Sequence, residues 1–363
     1  MIKPASSLCN MRCRYCFYSS ISSAREIPSY GIMQNETAEK IIDNIFRDIN
    51  ATDQITFGFQ GGEPSLAGVE WFRSFVQKVL LHKKAKISWT FQTNGLLMDQ
   101  KWCDFFLENK FLVGLSIDAG KRLHDRNRIS AADDGTFEAC LQTKELFDKN
   151  RVEYNVLCVL TNELAKEPDR AWRFIKNENI RFIQFIPCLD AGDLSQHSSP
   201  NTLRPPFFAQ FYSRLLRQWI KELENGNYIS IKFFDDVANY FYKGIPTSCG
   251  IDGQCQNQYV IEADGSVYPC DFYAFDQFKI GSLCESTPKE IFESKKTQQF
   301  LLSKQQLPEI CNSCAFLKSC RSGCKRMHNV MYTFAGSCGY KTFLEKSLKP
   351  LLQAVQAFQK KLS

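Results

Sequence analysis

The chain has 363 residues, 44% of them hydrophobic, and a formal net charge of +6 with 45 basic and 39 acidic residues interspersed. That is apolar material enough for a main domain and a smaller one. No run is apolar enough to cross a bilayer, no charged-then-apolar leader opens the chain and no long basic block suggests nucleic acid, so a cytoplasmic protein without membrane or nucleic-acid partners is expected.

Up to about residue 230, strand-like and helix-like segments alternate. The first, "MIKPAS", reads as a short strand and is followed by the cysteine-rich run "SSLCNMRCRYCFY". Further β-rich runs are expected at 54–60, 87–95, 111–118, 154–161 and 180–188, apolar on both faces as in strands covered by helices. Helical patterns fill the gaps, including "NETAEKIIDNIFRDIN", "VEWFRSFVQKVLLHKK", "DQKWCDFFLENK", "TFEACLQTKELFDKN" and "EPDRAWRFIKNEN", with Asn35 and Asp99 as candidate N-caps. About six β/α units result, forming a parallel sheet that is either a partial barrel or doubly wound. Past "PPFFAQFYSRLLRQWIKELENGN" the pattern changes to short strands and turns. "QYVIEADGSVYPC" reads as a hairpin turning at Asp264-Gly265, and "KTFLEKSLKPLLQAVQAFQKKL" as a C-terminal amphipathic helix interrupted by proline.

Sixteen cysteines are too many to be incidental in a reducing compartment, where clustered thiols suggest metal or redox chemistry. Cys9, Cys13 and Cys16 form a C-x3-C-x2-C run just past the expected first strand, at the edge where β/α folds build active sites. Three thiolates on a [4Fe–4S] cluster leave one iron open to a ligand; a zinc site completed from elsewhere is the alternative. Cys103, Cys140, Cys158 and Cys188 lack partners at ligand spacing and are expected to pack as small hydrophobes. The remaining nine fall between Cys249 and Cys338, and a pair of zinc ribbons would also fit part of their spacing. The four histidines, His82, His124, His197 and His328, show no metal spacing.

The run C-x3-C-x2-C with Tyr15 before its third cysteine resembles the signature of radical S-adenosylmethionine (SAM) enzymes. "GFQGGEPSLAG" resembles that superfamily's Gly-Gly-Glu loop, in which Gly61 and Gly62 let the backbone approach the cofactor and Glu63 accepts from its ammonium group. "QTNG" and "LSIDAG" match later strand ends, with Ser116 resembling a ribose contact. "HDRNR" resembles a further element, in which Arg128 meets the cofactor or braces the site; a surface ion pair is the alternative reading of Arg128. The resemblance thus implies a partial (β/α)6 barrel, a [4Fe–4S] cluster on Cys9, Cys13 and Cys16, and SAM bound near Tyr15, Gly61, Gly62, Glu63, Ser116 and Arg128.

The late cysteines resemble the SPASM extension of such enzymes, which carries two auxiliary [4Fe–4S] clusters. By that pattern one set is Cys249, Cys255, Cys270 and Cys324 and the other is Cys311, Cys314, Cys320 and Cys338, while Cys284 fits neither. The implied units are a barrel over 1–235, a cysteine-rich domain of short hairpin and helices over 236–340, and a terminal helix over 341–363. Within this group the chain is most similar to anaerobic sulfatase-maturating enzymes, through "CRYCFY", "FGFQGGEP", "QFIPCLD", "SCGIDGQC" and "DGSVYPCDFY". Such enzymes oxidise a sulfatase cysteine or serine to Cα-formylglycine. The resemblance makes Asp271 the base and places Tyr18 and Gln60 against the substrate peptide. A turn cap is the bland reading of Asp271, a side chain packed over the cluster that of Tyr18, and a satisfied strand-end amide that of Gln60. Implied partners are a sulfatase with a C/S-x-P-x-R motif and a flavodoxin or ferredoxin, with the enzyme a monomer. The alternative is a maturase that crosslinks a small peptide; with the motif starting at residue 9, no room is expected for the recognition domain such enzymes often carry. The 15-residue span from Cys324 to Cys338 is compact for the family and could alter the second auxiliary site.

Overall fold

The computed structural model describes residues 1–83, 85–190, 199–303 and 306–362. Six parallel strands form the main sheet: β1 (Gln54–Phe59), β2 (Lys86–Thr93), β3 (Phe111–Ser116), β4 (Tyr154–Leu160), β5 (Phe182–Pro187) and β6 (Ser230–Ile231). Their spatial order is their chain order, each pairing in parallel with the next. An unreversed order has no topological switch point, so the sheet is a partial barrel rather than a doubly wound one. Aromatic side chains fill the space between the first strands and their helices. Phe59, for instance, meets Phe72 edge-on at 5.0 Å and Phe75 at 5.3 Å.

The opening segment is not a strand. Only Ile2 is paired, in parallel bridges to Phe59 and to Ile261. Pro4 has no N–H to extend a ladder, and the chain turns at once, Ser6 taking φ 48°. The sixth strand is therefore β6, not "MIKPAS". The short segment instead joins two sheets. Ile2 donates to Gly58 O at 2.7 Å on the barrel side, and Lys3 donates to Ile261 O at 2.9 Å on the other.

Ile261 belongs to the second sheet, formed by β7 (Val260–Ile261), β8 (Ser266–Tyr268) and β9 (Gly281–Ser282). Its β7–β8 hairpin turns at Asp264-Gly265 as expected, with Gly265 at φ 86°. Helix Pro205–Glu224 and the terminal helix Gly339–Leu362 pack along each other, tied by a hydroxyl–hydroxyl bond of 3.0 Å between Ser347 and Ser213. The terminal helix runs through Pro350, which is exposed, so water can take the carbonyl that a proline leaves free. Asp99 caps its helix by accepting from Trp102 N at 3.1 Å. Asn35 does not cap. Its helix starts with Asn35 itself, and Gln34 at the cap makes no side-chain bond. Among the described residues no helix is long and apolar enough to cross a membrane.

Candidate active site

Loops at the C-terminal ends of the barrel strands enclose a cavity of about 190 Å³. Its wall brings together Cys9, Cys13 and Cys16 with Tyr15, Tyr18, Gln60, Gly61, Gly62, Glu63, Ser116 and Arg128, residues drawn from four separate stretches of chain. Backbone N–H groups face two of the sulfurs: Met11 N lies 3.4 Å from Cys9 Sγ, and Ser19 N 3.4 Å from Cys16 Sγ, which caps helix Phe17–Ser23. Donors aimed at sulfur suit thiolates that carry charge. Burial raises the Cys13 thiol, with Arg128 opposing and Cys16 adding to the rise. Proton release on metal binding therefore accompanies any loading of these thiols.

The Gly-Gly-Glu loop is pressed against the chain that leads into Cys9. Gly62 N donates to Ser6 O at 2.9 Å and Glu63 N to Leu8 O at 2.8 Å. A Cβ on Gly62 would stand 2.0 Å from Leu8 O, and one on Gly61, at φ 143°, 2.8 Å from Ser6 O. The glycines thus permit approach of the protein's own cysteine loop, a contact not foreseen from the motif. Gly62→Ala is expected to push that loop aside. Iron in the anaerobically loaded protein should fall to the share of the late-cysteine clusters alone, and SAM affinity, followed by equilibrium dialysis, should drop at least about tenfold. Unchanged affinity would show that the contact relaxes.

Glu63 is buried and accepts four hydrogen bonds. Ser65 N (3.1 Å), Ser65 Oγ (2.6 Å) and Thr93 Oγ1 (2.8 Å) reach Oε1, and Asn94 N (2.7 Å) reaches Oε2. One acceptor position on Oε2 stays open toward an ammonium group. Burial raises the Glu63 carboxyl and these donors lower it again. Arg128 is buried, which excludes the surface ion pair. Its Nη1 lies 3.3 Å from the Tyr15 hydroxyl, and its Nε has no partner. Tyr15 donates in turn to Asp118 Oδ2, while Asp118 Oδ1 accepts from Val159 N at 2.9 Å. Burial, then Arg128 and Lys121, hold the His124 imidazole down at about 2, so it is neutral. His124 Nδ1 accepts from Asp118 N at 3.2 Å, leaving Nε2–H to donate to Thr136 Oγ1 at 3.0 Å. Three thiols, a glycine backbone without room for side chains and a buried guanidinium whose Nε has no partner form a donor set that fits a cluster and its SAM.

Behind this cavity lies a buried polar network. Asp271 is not in the cavity wall, but Gln60, which is, donates through Nε2 to Asp271 Oδ2. Asp271 Oδ1 pairs with Lys3 Nζ at 2.6 Å; the Lys3 side chain is fully buried and its ammonium lies 3.7 Å from the centre of the Tyr18 ring. The Asp271 side chain therefore reaches residues distant in sequence and is no turn cap. Tyr18 donates to Glu262 Oε1, which also pairs with Arg25 at 2.9 Å, and Ser6 Oγ donates to Glu262 Oε2 at 3.0 Å. Lys3, Arg25, Asp118 and Glu262 are functional neighbours that the motifs did not single out.

The late thiols sort into two neighbourhoods. After burial, Cys249 is raised to about 11 by the charges of Cys324 and Cys255, and Cys270 is raised by those of Cys324, Asp271 and Cys249. Cys311, Cys314, Cys320 and Cys338 line one small cavity, and burial followed by the other three thiols pushes Cys320 up to about 11. Tyr332 stands between the groups, its ring where a Cβ on Gly323 would be, 2.0 Å from Cζ. The compact span after Cys324 is one π-helical turn, His328–Tyr332, and a two-residue hairpin that carries Cys338 to its set. Cys284 lies apart, donating to Asp264 O at 3.8 Å. Cys103, Cys140, Cys158 and Cys188 are buried, and Cys188 also lines the cavity that holds the first three thiols. Among the described residues no three metal-binding side chains converge on a point as for a single ion; His197 lies outside those residues.

A profile of the radical SAM superfamily matches residues 4–174, and one of the SPASM iron–sulfur cluster-binding domain matches 249–315. A cysteine-type anaerobic sulfatase-maturating enzyme of Clostridium perfringens is 41% identical over 328 residues, 90% of this chain and 88% of the relative. Its counterpart from Clostridium novyi is 38% identical over 97% of this chain and 95% of its own length. The structure described as native anSMEcpe with bound AdoMet and Kp18Cys peptide superimposes with a TM-score of 0.89 at 37% identity, covering 98% of both chains. With the barrel, the three-thiol cavity and the two later thiol groups, these likenesses place the chain in the anaerobic sulfatase-maturating enzyme family of the radical SAM superfamily.

Proposed function

We propose that this radical SAM enzyme oxidises the active-site cysteine of a sulfatase, within a C-x-P-x-R motif, to Cα-formylglycine. The observation that carries the reading is the buried Asp271 carboxylate. It is adjacent to Cys270 and is joined through Gln60 to the wall of the SAM cavity. When bound, SAM with its cluster supplies a 5′-deoxyadenosyl radical that takes a Cβ hydrogen, and the auxiliary clusters supply a place for the second electron.

The protein's own part is to bind, orient and move one proton. Cys9, Cys13 and Cys16 hold the first cluster, and Gly61, Gly62, Glu63, Ser116, Tyr15 and Arg128 hold SAM. Cys249, Cys255, Cys270 and Cys324 take one auxiliary cluster and Cys311, Cys314, Cys320 and Cys338 the other. Asp271 accepts the substrate's thiol proton, while Lys3 and Gln60 fix both of its oxygens. Gln60 faces the substrate directly. Tyr18 braces Lys3 and Glu262 from its place in the same wall. A thiol, ordinarily near pKa 8.5, yields its proton to a carboxylate far more readily than a serine hydroxyl does. The cysteine-type relatives point the same way. A flavodoxin or ferredoxin is the proposed reductant and a monomer the working unit.

The test is an anaerobic reaction of loaded enzyme, SAM and dithionite with paired C-x-P-x-R and S-x-P-x-R peptides, read by mass spectrometry with a hydrazine trap. A trapped aldehyde, more on the cysteine peptide than on the serine one, is expected. Formation of 5′-deoxyadenosine with both peptides unchanged would defeat the assignment and favour a crosslinking chemistry.

A further inference from the structure

The ammonium group of Lys325 is held in place by the end of a helix. It donates to Phe300 O at 2.5 Å and to Ser303 Oγ at 2.6 Å, both at the C-terminal end of helix Lys295–Leu302. Carbonyls there lack partners within the helix and carry partial negative charge, so a cation is favoured. The same ammonium lies 4.7 Å from the centre of the Phe300 ring. A further donor goes to the thiol of Cys255. Lys325 also follows Cys324 directly in the chain. One fixed positive charge thus touches one member of the group Cys249, Cys255, Cys270 and Cys324 and adjoins a second.

The surroundings make that charge count. Phe300 is buried and meets Tyr273 edge-on at 5.2 Å, and Tyr273 stands beside Cys324, Cys270 and Cys255. The two rings cover one side of the contact, so solvent screens it less there. Burial raises the Cys255 thiol; Lys325 opposes that rise, while Cys324 and Asp252 add to it. The other late set has a neutral donor in the matching role. There the Ser322 hydroxyl meets Cys311, and Lys341, whose charge also favours that thiolate, is shared with Glu345 at 3.8 Å. The potential of an iron–sulfur cluster depends on hydrogen bonds to its sulfurs and on the charge around it. Reduction adds one negative charge beside four thiolates, so a cation in contact favours the reduced form over the oxidised one.

We propose that Lys325 is a positioning residue for the substrate's second electron: its ammonium, fixed against Cys255, raises the reduction potential of the cluster on Cys249, Cys255, Cys270 and Cys324. The inference rests on the proposed function for those ligands and for that electron. The substrate loses one hydrogen atom to the cofactor radical, one thiol proton to Asp271 and one electron to this cluster, whose net charge becomes more negative by one. Lys325 lies outside the wall of the SAM cavity and acts through Cys255. It favours the last of these transfers by offsetting the added charge.

The test compares the anaerobically loaded full chain with Lys325→Gln, which keeps a donor and removes the charge, and Lys325→Arg, which keeps both. Voltammetry should resolve three one-electron waves. Lys325→Gln should make one cluster at least about tenfold harder to reduce, a shift of about 59 mV, and leave the other two in place. Lys325→Arg should restore that wave to within about threefold of the unaltered equilibrium. Aldehyde formed per 5′-deoxyadenosine should fall in Lys325→Gln and recover in Lys325→Arg. A second measurement needs no loss of charge. With ¹⁵N at lysine Nζ alone and unlabelled SAM, electron–nuclear double resonance of the reduced protein should show a ¹⁵N coupling that Lys325→Arg lacks. The proposal is overturned if no wave moves in Lys325→Gln, if Lys325→Arg moves it as far, or if the unaltered protein shows no such coupling. A moved wave with an unchanged aldehyde ratio would overturn it too, by separating the potential from the reaction. Fewer than three clusters in the unaltered chain would overturn the ligand assignment and this proposal with it. If the unaltered chain loads three clusters yet forms no aldehyde, the proposed function fails, and the waves and the coupling still decide what Lys325 does to its cluster.

Discussion

Asp271→Asn is expected to keep cleaving SAM while its formylglycine output falls by about 10²–10⁴-fold, the usual worth of a positioned general base. The amide has nearly the carboxylate's shape but cannot take a proton at neutral pH. Its oxygen can still accept from Gln60 or from Lys3, which now occupy the two carboxylate oxygens. Loss of the charge also leaves the fully buried Lys3 ammonium without its counter-ion, so some destabilisation accompanies the substitution. Two readings of one reaction separate these effects. If the base is gone, 5′-deoxyadenosine accumulates without matching aldehyde; if the protein is merely damaged, both products fall together along with bound iron. Aldehyde yield within about threefold of the unaltered enzyme, a change too small for loss of a general base, would remove Asp271 from the reaction.

The parts of this site that were legible in the chain are those with local signatures. Cys9, Cys13 and Cys16 lie within eight residues, and the Gly-Gly-Glu loop follows a strand whose bounds were expected at 54–60 and lie at Gln54–Phe59. Period and spacing suffice there, because one turn or one strand end carries the whole feature. Lys3, Asp118 and Glu262 are different. Each looks like an ordinary polar residue in its own segment, and its meaning comes from partners 41 to 268 residues away: Val159 for Asp118, Tyr18 and Ser6 for Glu262, Asp271 for Lys3. The same cause explains the misjudged first strand. "MIKPAS" has strand-like composition, but Pro4 and the turn at Ser6 leave one bridging residue, and Lys3 goes inward as a cation rather than outward as a strand's polar face.

The largest stability effect should come from the far end of the same network, at Glu262. Its side chain and that of Arg25 are both fully buried. The carboxylate receives Arg25 at 2.9 Å, the Ser6 hydroxyl at 3.0 Å and the Tyr18 hydroxyl, while Arg25 Nε donates to Ala274 O at 2.6 Å. These atoms come from the chain before Cys9, from the helix after Cys16, and from both sides of the β7–β8 hairpin. A small apolar cluster of Tyr18, Ile21, Val260 and Tyr268 closes around them. Glu262→Ala removes one partner of a buried pair and strands a guanidinium in a low-dielectric seam, a loss of about 3–5 kcal/mol. In a chain of this size that should lower the melting temperature by about 4–7 °C. Glu39→Ala, which breaks a half-exposed pair with Lys78, should cost under about 1 kcal/mol. Scanning calorimetry on both variants gives the contrast directly. Because Ser6 precedes Cys9 and Tyr18 follows Cys16, the loosened seam should also slow cluster loading in Glu262→Ala and leave Glu39→Ala unaffected. Equal melting of the two variants would mean that water enters the seam and solvates Arg25, and that the barrel and the cysteine-rich unit are held together elsewhere.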